Sequence, residues 1–298
     1  MLGLPLPHRS TDELKLADWL ELHALRSDDR NSSIGNLERA LNRATVFNPE
    51  DNIALESKCV AVLNELQQRV KSADMAYPFE IDGSLLRLRA NPEDFTAYVF
   101  CLCLSFFGWE NKKGRRLFPD RLFEELSCIA ARNFTGGEVV KFGFPRQDLP
   151  KGFAKAVDKL CLLIGECTGF KHQPLKSVKD YGLDVVAWRN FPDGFPSKLI
   201  LFGQCATGIE TKRKNKEVEL QPHIFCQNWL MDQPVSPLIK AYFTPHRTES
   251  NKWEHLGRKA GIIFDRCRIA YLVHRTENLS KSNPYLEWIM SVLEKVEE

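Results

Sequence analysis

The sequence has few of the features that place a protein in a membrane. No apolar run reaches the roughly 18 residues that a spanning helix needs. The apolar start, residues 1–7, is short, is interrupted by two prolines and has no basic residue before it. Such a start is not typical of a signal peptide. We therefore expect a soluble, cytoplasmic protein that makes no contact with a membrane.

The chain also lacks a strong net charge. Its 41 Lys and Arg residues nearly balance 39 Asp and Glu residues, which gives a formal charge of +2. Proteins that bind nucleic acid through their overall charge are more basic than this. Any surface that contacts nucleic acid must therefore be local.

Several motifs with known chemistry are missing. The nine cysteines include no C-x-x-C pair, so a structural zinc site is not expected, and most of them lie in apolar runs, as reduced and buried thiols do. The sequence has no Gly-rich phosphate loop with Lys and Ser/Thr, no G-x-G-x-x-G, no G-x-S-x-G and no H-E-x-x-H. These absences argue against the enzyme classes that such motifs mark.

What the sequence does contain is a stretch, residues 182–208, with the pattern of a β-hairpin. Two apolar runs, 183–188 and 199–202, flank a spacer with two prolines and an Asp-Gly pair, which favours a turn. Asp184 lies at the start of the first run and Gln204 follows the second. Because antiparallel strands bring these two outer ends together, we expect Asp184 and Gln204 to lie side by side, where they could hold a cation.

This pattern resembles the PD-(D/E)XK nuclease superfamily, the fold of many restriction endonucleases. In that superfamily an acid on one strand is followed by Glu-x-Lys, or by Gln-x-Lys in the Mrr-like branch, on the next strand. Asp184 and the Gln204-Cys205-Ala206 sequence match it, except that Ala206 stands where the family has its lysine. The resemblance covers about residues 118–273.

The resemblance implies an α/β domain with a central mixed sheet flanked by helices, and Mg²⁺- or Mn²⁺-dependent hydrolysis of DNA. It implies that Asp184, Gln204 and the Cys205 backbone carbonyl hold the metal. Some members carry the lysine on a neighbouring element, and Lys216 is our first candidate for that role, ahead of Lys212 and Lys214.

Such enzymes use a further acid, and two residues are candidates for it. Glu124 belongs to a Phe-Glu pair on a predicted helix, a pair that related nucleases often show on the first helix of the core. Glu166 follows a predicted helix end between two glycines and lies 18 residues before Asp184. We favour Glu166, as both a catalytic residue and a metal ligand, because a single connection can bring it to Asp184.

The length of the chain favours two domains, 1–110 and 111–298. In the first, three predicted helices are followed by a hairpin with Asp82 and Gly83 at its turn. This is the order of a winged helix, with Arg87 and Arg89 on the wing. An ordinary helical adaptor domain explains the same order, and we prefer that interpretation.

The second domain alternates helices and strands, as an α/β sheet requires. We expect helices over residues 118–134, 151–164, 222–231 and 253–259, strands over 239–243 and 269–273, and a last helix over 285–296. The basic cluster 111–116 is interpreted as a solvated loop in preference to a phosphate contact.

The first functional hypothesis is a Mg²⁺-dependent DNA endonuclease of the restriction type. The resemblance implies a setting in prokaryotic restriction or defence against phage, in which the N-terminal domain binds DNA or a partner defence protein. The alternative is a nuclease-like domain without catalysis that binds DNA or protein, which Ala206 favours. The sequence leaves oligomerisation open.

Overall fold

The computed structural model describes residues 4–7, 11–47, 52–108, 118–171, 180–208, 216–274, 279 and 283–294. Within these ranges the helices are α1 (Glu13–Arg26), α2 (Ile34–Arg43), α3 (Asn52–Ala73), α4 (Thr96–Phe107), α5 (Pro119–Thr135), α6 (Phe153–Ile164), α7 (Lys216–Glu219), α8 (Pro222–Trp229), α9 (Trp253–Ala260), α10 (Arg266–His274) and α11 (Asn283–Leu293). Short 3₁₀ turns lie at Asp74–Ala76, Pro92–Phe95 and Ser250–Lys252.

The strands of the described residues form three sheets. They are β1 (Asn31–Ser33), β2 (Phe79–Asp82), β3 (Leu85–Leu88), β4 (Glu138–Lys141), β5 (Thr168–Phe170), β6 (Val185–Arg189), β7 (Leu199–Cys205), β8 (Leu230–Asp232), β9 (Leu238–Phe243) and β10 (Ile262–Phe264). The sheet orders are β1-β3-β2, β10-β9-β7-β6-β4 and β5-β8.

The chain divides into two compact units. The first contains Met1–Pro119, Pro245–Glu249 and Arg266–Glu298, and the second contains Asp120–Thr244 and Ser250–Asp265. The first break falls close to the predicted boundary at 110/111. The structure differs from that prediction because the C-terminal helices α10 and α11 belong to the first unit.

Helices α1, α3, α4, α10 and α11 build the core of the first unit. The carboxylate of Asp12 begins α1 by accepting hydrogen bonds from the backbone N–H groups of Leu14 (3.0 Å) and Lys15 (3.3 Å). In the apolar α4, the Phe100 ring meets Tyr285 and Trp288 of α11 edge to face. The C-terminal helix therefore completes a core that the N-terminal helices begin.

A buried network of ion pairs crosses the first unit. Arg69 on α3 is fully buried and its guanidinium donates to Asp18 (2.7 Å), Glu21 (2.8 Å) and Glu65 (2.7 Å). Arg266 on α10, also fully buried, donates to Asp18. Nearby cations lower the pKa of Asp18 although burial opposes this, because Arg266 and Arg69 favour the ionised carboxylate. Buried charges need such pairing.

The predicted hairpin of the first unit is confirmed, with β2 and β3 antiparallel around Gly83 and Ser84. The structure adds β1, which pairs with β3 and makes a three-stranded antiparallel sheet that the sequence analysis missed. The side chain of Arg87 on β3 is exposed and lies 3.9 Å from Glu80. The winged-helix interpretation stays a prediction.

The second unit is a mixed α/β structure in which helices flank a five-stranded sheet. β4, β6 and β7 are antiparallel neighbours, whereas β7, β9 and β10 are parallel. On one face, Val186, Phe202 and other residues of β6 and β7 pack against α6 and α8, and Tyr242 packs against α9. On the other face, Phe134 of α5 packs against Phe264. The strands are apolar because both faces are covered.

Most elements predicted for the domain 111–298 are confirmed, and one is wrong. Residues 269–273 were expected as a strand but belong to the helix α10. The buried side chains Ile269, Ala270 and Val273 have the spacing of one helical face, which a short apolar run cannot distinguish from a strand. The described residues contain no helix long and apolar enough to cross a bilayer. The basic cluster 111–116 lies outside the described residues.

Candidate carboxylate site

The strand pairing brings Asp184 and its neighbours to one end of the five-stranded sheet. Asp184 immediately precedes β6, Cys205 ends β7 and Lys141 ends β4. The register pairs Val185 with Gly203 on one side and with Lys141 on the other. The predicted hairpin and the common end of Asp184 and Gln204 are therefore confirmed.

The backbone and one carboxylate oxygen of Asp184 are fixed by hydrogen bonds. Its carbonyl oxygen accepts from the N–H groups of Phe142 (2.7 Å) and Gly143 (3.1 Å), and its own N–H donates to the Gly203 carbonyl (3.0 Å). The Oδ2 atom accepts from the backbone N–H of Cys205 at 2.7 Å. Asp184 thus caps the end of β7, which orients its second oxygen, Oδ1.

That second oxygen faces the carboxylate of Glu124 on α5. A Cβ atom placed on Gly143 would lie 3.0 Å from Glu124 Oε2 and 3.1 Å from Asp184 Oδ1, so these two oxygens are at most 6.1 Å apart. Glu124 Oε2 is buried and has no hydrogen-bond partner. A buried oxygen without a donor is costly, and such a group calls for an explanation such as an ion or a catalytic role.

Burial and mutual repulsion raise the pKa values of this pair. The pKa of Asp184 lies well above its usual value because of burial and the Glu124 carboxylate, although the Cys205 N–H opposes the shift. Burial raises the pKa of Glu124 to about 7, against the attraction of Lys141. Asp180 raises both. Each carboxyl therefore binds a proton more tightly than an ordinary one, and a cation would favour the doubly ionised form.

Two lysines favour the ionised form of the carboxylate pair. Lys141 is buried, its Nζ donates to Glu125 at 3.2 Å, and its charge favours ionised Glu124. Lys216, the predicted lysine, begins α7, is half-exposed and favours ionised Asp184. No pattern in the sequence singled out Lys141. Lys212 and Lys214 lie outside the described residues.

Gln204 reaches the site end of the sheet, but its carboxamide is engaged elsewhere. Its Nε2 donates to Glu219 Oε2 at 2.8 Å and its Oε1 accepts from the Leu220 N–H at 3.2 Å. The ligand role of Gln204 stays a prediction, and in the structure its oxygen accepts from a backbone donor. Ala206 is buried among Tyr242, Ala260 and Ile263, so no lysine fits there without displacing them.

Glu166 does not join the site. Its carboxylate accepts hydrogen bonds from the N–H groups of Ser197 (2.9 Å) and Ser236 (2.9 Å) and from the Ser236 hydroxyl (2.7 Å). Ser197 precedes β7, so Glu166 lies at the opposite end of the hairpin from Asp184. Burial opposes but does not prevent the lowering of its pKa by these hydrogen bonds. The acid that the structure brings to Asp184 is Glu124, for which the Phe-Glu pair was the signal.

The side chains that could bind a cation at the site are two carboxylates. Among the described residues, no group of three or more His, Cys, Asp or Glu side chains is arranged to hold a metal ion. Mg²⁺ commonly binds to one or two carboxylates and keeps several waters. A pair with one oxygen that lacks a donor therefore fits a hydrated Mg²⁺ or Mn²⁺ and does not fit a cation that needs a complete cage of side chains.

No family model matches the chain, and no curated protein matches it. Among solved structures, the restriction endonuclease FokI is similar over 90% of this chain, at 11% identity and a TM-score of 0.23. The chain spans 45% of the FokI chain, which is less than half of its length. A TM-score of this size carries no argument about fold or activity.

Proposed function

We propose that this chain is a divalent-cation-dependent phosphodiesterase that acts on DNA, with its reaction centre at Asp184 and Glu124. The observation that carries the proposal is the convergence of Asp184 Oδ1 and the partnerless, buried Glu124 Oε2 on Gly143. Perturbed carboxylates that face each other are a common mark of a functional site. The site supports a restriction-type endonuclease, and a role in prokaryotic defence is part of the proposal.

Mg²⁺ or Mn²⁺ is the cofactor that suits these oxygens. Asp184 and Glu124 would hold it, and the Cys205 carbonyl is a further candidate ligand. The N–H and C=O of one residue in an antiparallel strand point towards the same neighbouring strand. Because the Cys205 N–H points at Asp184, its carbonyl faces the same side. A bound cation would polarise the phosphoryl oxygen and lower the pKa of an attacking water.

The residues of the chain have separate tasks in this scheme. The Cys205 N–H holds Asp184 in one orientation, so that Oδ1 faces the cation position. Glu124 brings a buried oxygen without a donor to the same position, and a cation there would favour its ionised form. Lys141 supports the ionised form of Glu124 from a buried position, whereas Lys216 is accessible enough to approach a phosphate and stabilise its negative charge.

The first test measures cation binding, because it does not depend on an activating partner. We expect Mn²⁺ titrated into the protein to bind at one site, and a Mn²⁺-soaked crystal to give anomalous density beside Asp184 and Glu124. Asp184→Asn and Glu124→Gln should each abolish this binding. The matched control is Glu138→Gln, since Glu138 is an exposed acid at the far end of β4. Binding that survives both substitutions would reject the site.

The second test measures catalysis on supercoiled plasmid with Mg²⁺ or Mn²⁺. We expect nicking by the native protein and by Glu138→Gln. Asp184→Asn should lower the rate by about 100-fold or more, since each electrostatic group at a reaction centre contributes on that scale. Nicking that persists in Asp184→Asn or in excess chelator would contradict the proposal.

A non-catalytic binding module is the second candidate, and Ala206 favours it. This residue is packed in an apolar cluster at the position of the family lysine, and Asp184 makes a capping hydrogen bond. Such a module should shift the mobility of DNA equally with and without a metal. The N-terminal unit, with exposed Arg87 beside its hairpin turn, is the proposed contact for DNA or for a partner protein.

A further inference from the structure

Gln204 connects β7 to the short helix α7, which carries Lys216. The carboxamide is almost completely buried, with 2% of the residue exposed, and both of its ends are engaged. Nε2 donates to Glu219 Oε2 at 2.8 Å, and Oε1 accepts from the Leu220 N–H at 3.2 Å. A side chain held at both ends inside the protein has a single orientation, so Gln204 can serve as a fixed reference point.

The same Glu219 oxygen that Gln204 contacts also forms the ion pair with Lys216. Both charged side chains are half-exposed, and an ion pair of this kind contributes little by itself. Here the buried amide of Gln204 holds the Glu219 carboxylate in place. The Gln204 amide therefore restricts Glu219, and Glu219 in turn restricts the ammonium group of Lys216.

This chain of contacts lies against Gly182, two residues before Asp184. A Cβ atom on Gly182 would be 3.2 Å from Gln204 Nε2 and 3.5 Å from Glu219 Cγ, so both side chains pack on the turn that leads into Asp184. Gly182 has a φ of +77°, which suits glycine. Through Glu219 and Gln204, Lys216 is therefore connected to the backbone two residues before Asp184.

A second anchor holds α7 from another side. The ammonium of Lys240 on β9 donates to the backbone carbonyls of Glu217 and Lys259, each at 2.8 Å. A helix of four residues has no stability of its own. Its position therefore depends on the contacts made by Gln204 and Lys240.

We propose that Glu219 and Gln204 are positioning residues that hold the Lys216 ammonium beside Asp184. A lysine at position 206 would be positioned by the backbone that follows β7. Position 206 instead holds Ala206, which is enclosed by apolar side chains, so Lys216 needs other residues to position it. The proposal rests on the proposed function, since it assigns the phosphate-facing cation of that site. The family glutamine then acts through Glu219 and Lys216 and does not bind the metal.

A double-mutant cycle on plasmid nicking tests whether Glu219 acts through Lys216. Glu219→Gln is the main variant, because the residue is half-exposed and the new amide oxygen can still accept from Gln204. We expect Lys216→Ala to lower the rate by about 100-fold and Glu219→Gln by about 10-fold. The double variant should be no slower than Lys216→Ala. If the rate losses of the two single variants multiply in the double variant, the proposal is overturned, since a general structural role of Glu219 would act independently of Lys216.

A chemical readout tests the same contacts without catalysis. Acetylation of lysines under limiting reagent, read by mass spectrometry, should label Lys216 faster in Glu219→Gln and Gln204→Leu than in the native protein. Lys155, exposed on α6, is the internal reference. Equal labelling of Lys216 in all three proteins overturns the positioning role. If labelling changes but the native protein never nicks DNA, the positioning role is supported and the nuclease function is rejected.

Discussion

At the scale of single residues, the sequence predicted one member of the carboxylate pair, Asp184, and ranked the other, Glu124, behind Glu166. Asp184 could be predicted because it is a lone acid at the start of an apolar strand, and because the sequence also predicted the strand that pairs with it. Glu166 was preferred to Glu124 because sequence distance was taken as a guide to spatial distance. The structure reverses this, since backbone and hydroxyl donors bind Glu166 at the far end of the hairpin. Glu124, which is farther from Asp184 in sequence, lies on helix α5 and is the acid near Asp184 in the structure.

Gly143 lies close to both carboxylates, and a methyl group added at this position tests whether a cation binds between them. The Cβ of Gly143→Ala would press on Glu124 Oε2 and Asp184 Oδ1 at about 3 Å, closer than ordinary contact, so we expect these oxygens to move apart. Mn²⁺ affinity should fall by about 10-fold, a cost of about 1.4 kcal/mol. Isothermal titration measures this. Gly152→Ala is the control, because a Cβ there meets nothing within 4 Å. Equal affinities in the two variants would argue against a cation between the carboxylates.

Ionisation of the buried Glu124 carboxyl should lower the free energy of unfolding above neutral pH. Its pKa is about 7 in the folded chain against 4.5 for an ordinary glutamate, so the folded state binds the proton more tightly. This contribution stabilises the folded protein at low pH and is lost as the pH rises through 7. We expect Glu124→Gln to raise the free energy of unfolding by about 1–3 kcal/mol at pH 8 and by less at pH 5. Urea unfolding at both pH values, with Glu138→Gln as control, measures it. A loss of stability at pH 8 would contradict the assignment.

At the scale of helices and strands, periodicity predicted the long helices and the hairpins, but it missed short elements and buried charge. The strands β1 and β10 have three residues each, too few for a pattern to emerge. Asp18 and Glu21 on α1 and Arg69 on α3 look like solvated charges in the sequence, yet they are buried. Only the three-dimensional arrangement shows that their charges neutralise one another.

The pairing of α1 with α3 should depend on Arg69. Arg69→Met would leave Asp18 and Glu21 buried with fewer donors, and removal of one member of a buried ion network costs about 3–5 kcal/mol. Chemical denaturation followed by circular dichroism measures the loss. Lys58→Met is the matched control, because Lys58 on α3 pairs with exposed Glu13 on α1, a contact that contributes about 0–1 kcal/mol. Similar losses for the two variants would show that the network contributes little to stability.

At the scale of the whole molecule, the chain leaves the first unit after Pro119 and returns to it at Pro245–Glu249 and Arg266–Glu298. Composition and length suggested two domains in succession, because sequence patterns report local structure and do not report which distant segments share a core. The second unit is instead an insertion in chain order, apart from the short return at 245–249.

Fragments should reveal this arrangement. A fragment of residues 120–265 contains the whole second unit, and we expect it to unfold cooperatively. A fragment of residues 1–119 lacks Arg266 and α11, which leaves Asp18 short of a partner and Phe100 without its aromatic neighbours. We expect it to aggregate or to show no cooperative transition. Thermal unfolding by circular dichroism distinguishes these outcomes, and a stable, monomeric 1–119 fragment would contradict the division.

The buried pair of Arg266 with Asp18 joins residues that lie 248 positions apart. During synthesis the ribosome releases α1 long before it makes Arg266, whereas every part of the second unit has been made by then. The order of folding should therefore run against the order of the chain, with the inserted unit complete first. Until then the N-terminal helices carry exposed apolar surface, and Asp18 lacks one of its two arginine partners, which makes these helices the part of the nascent chain most in need of a chaperone.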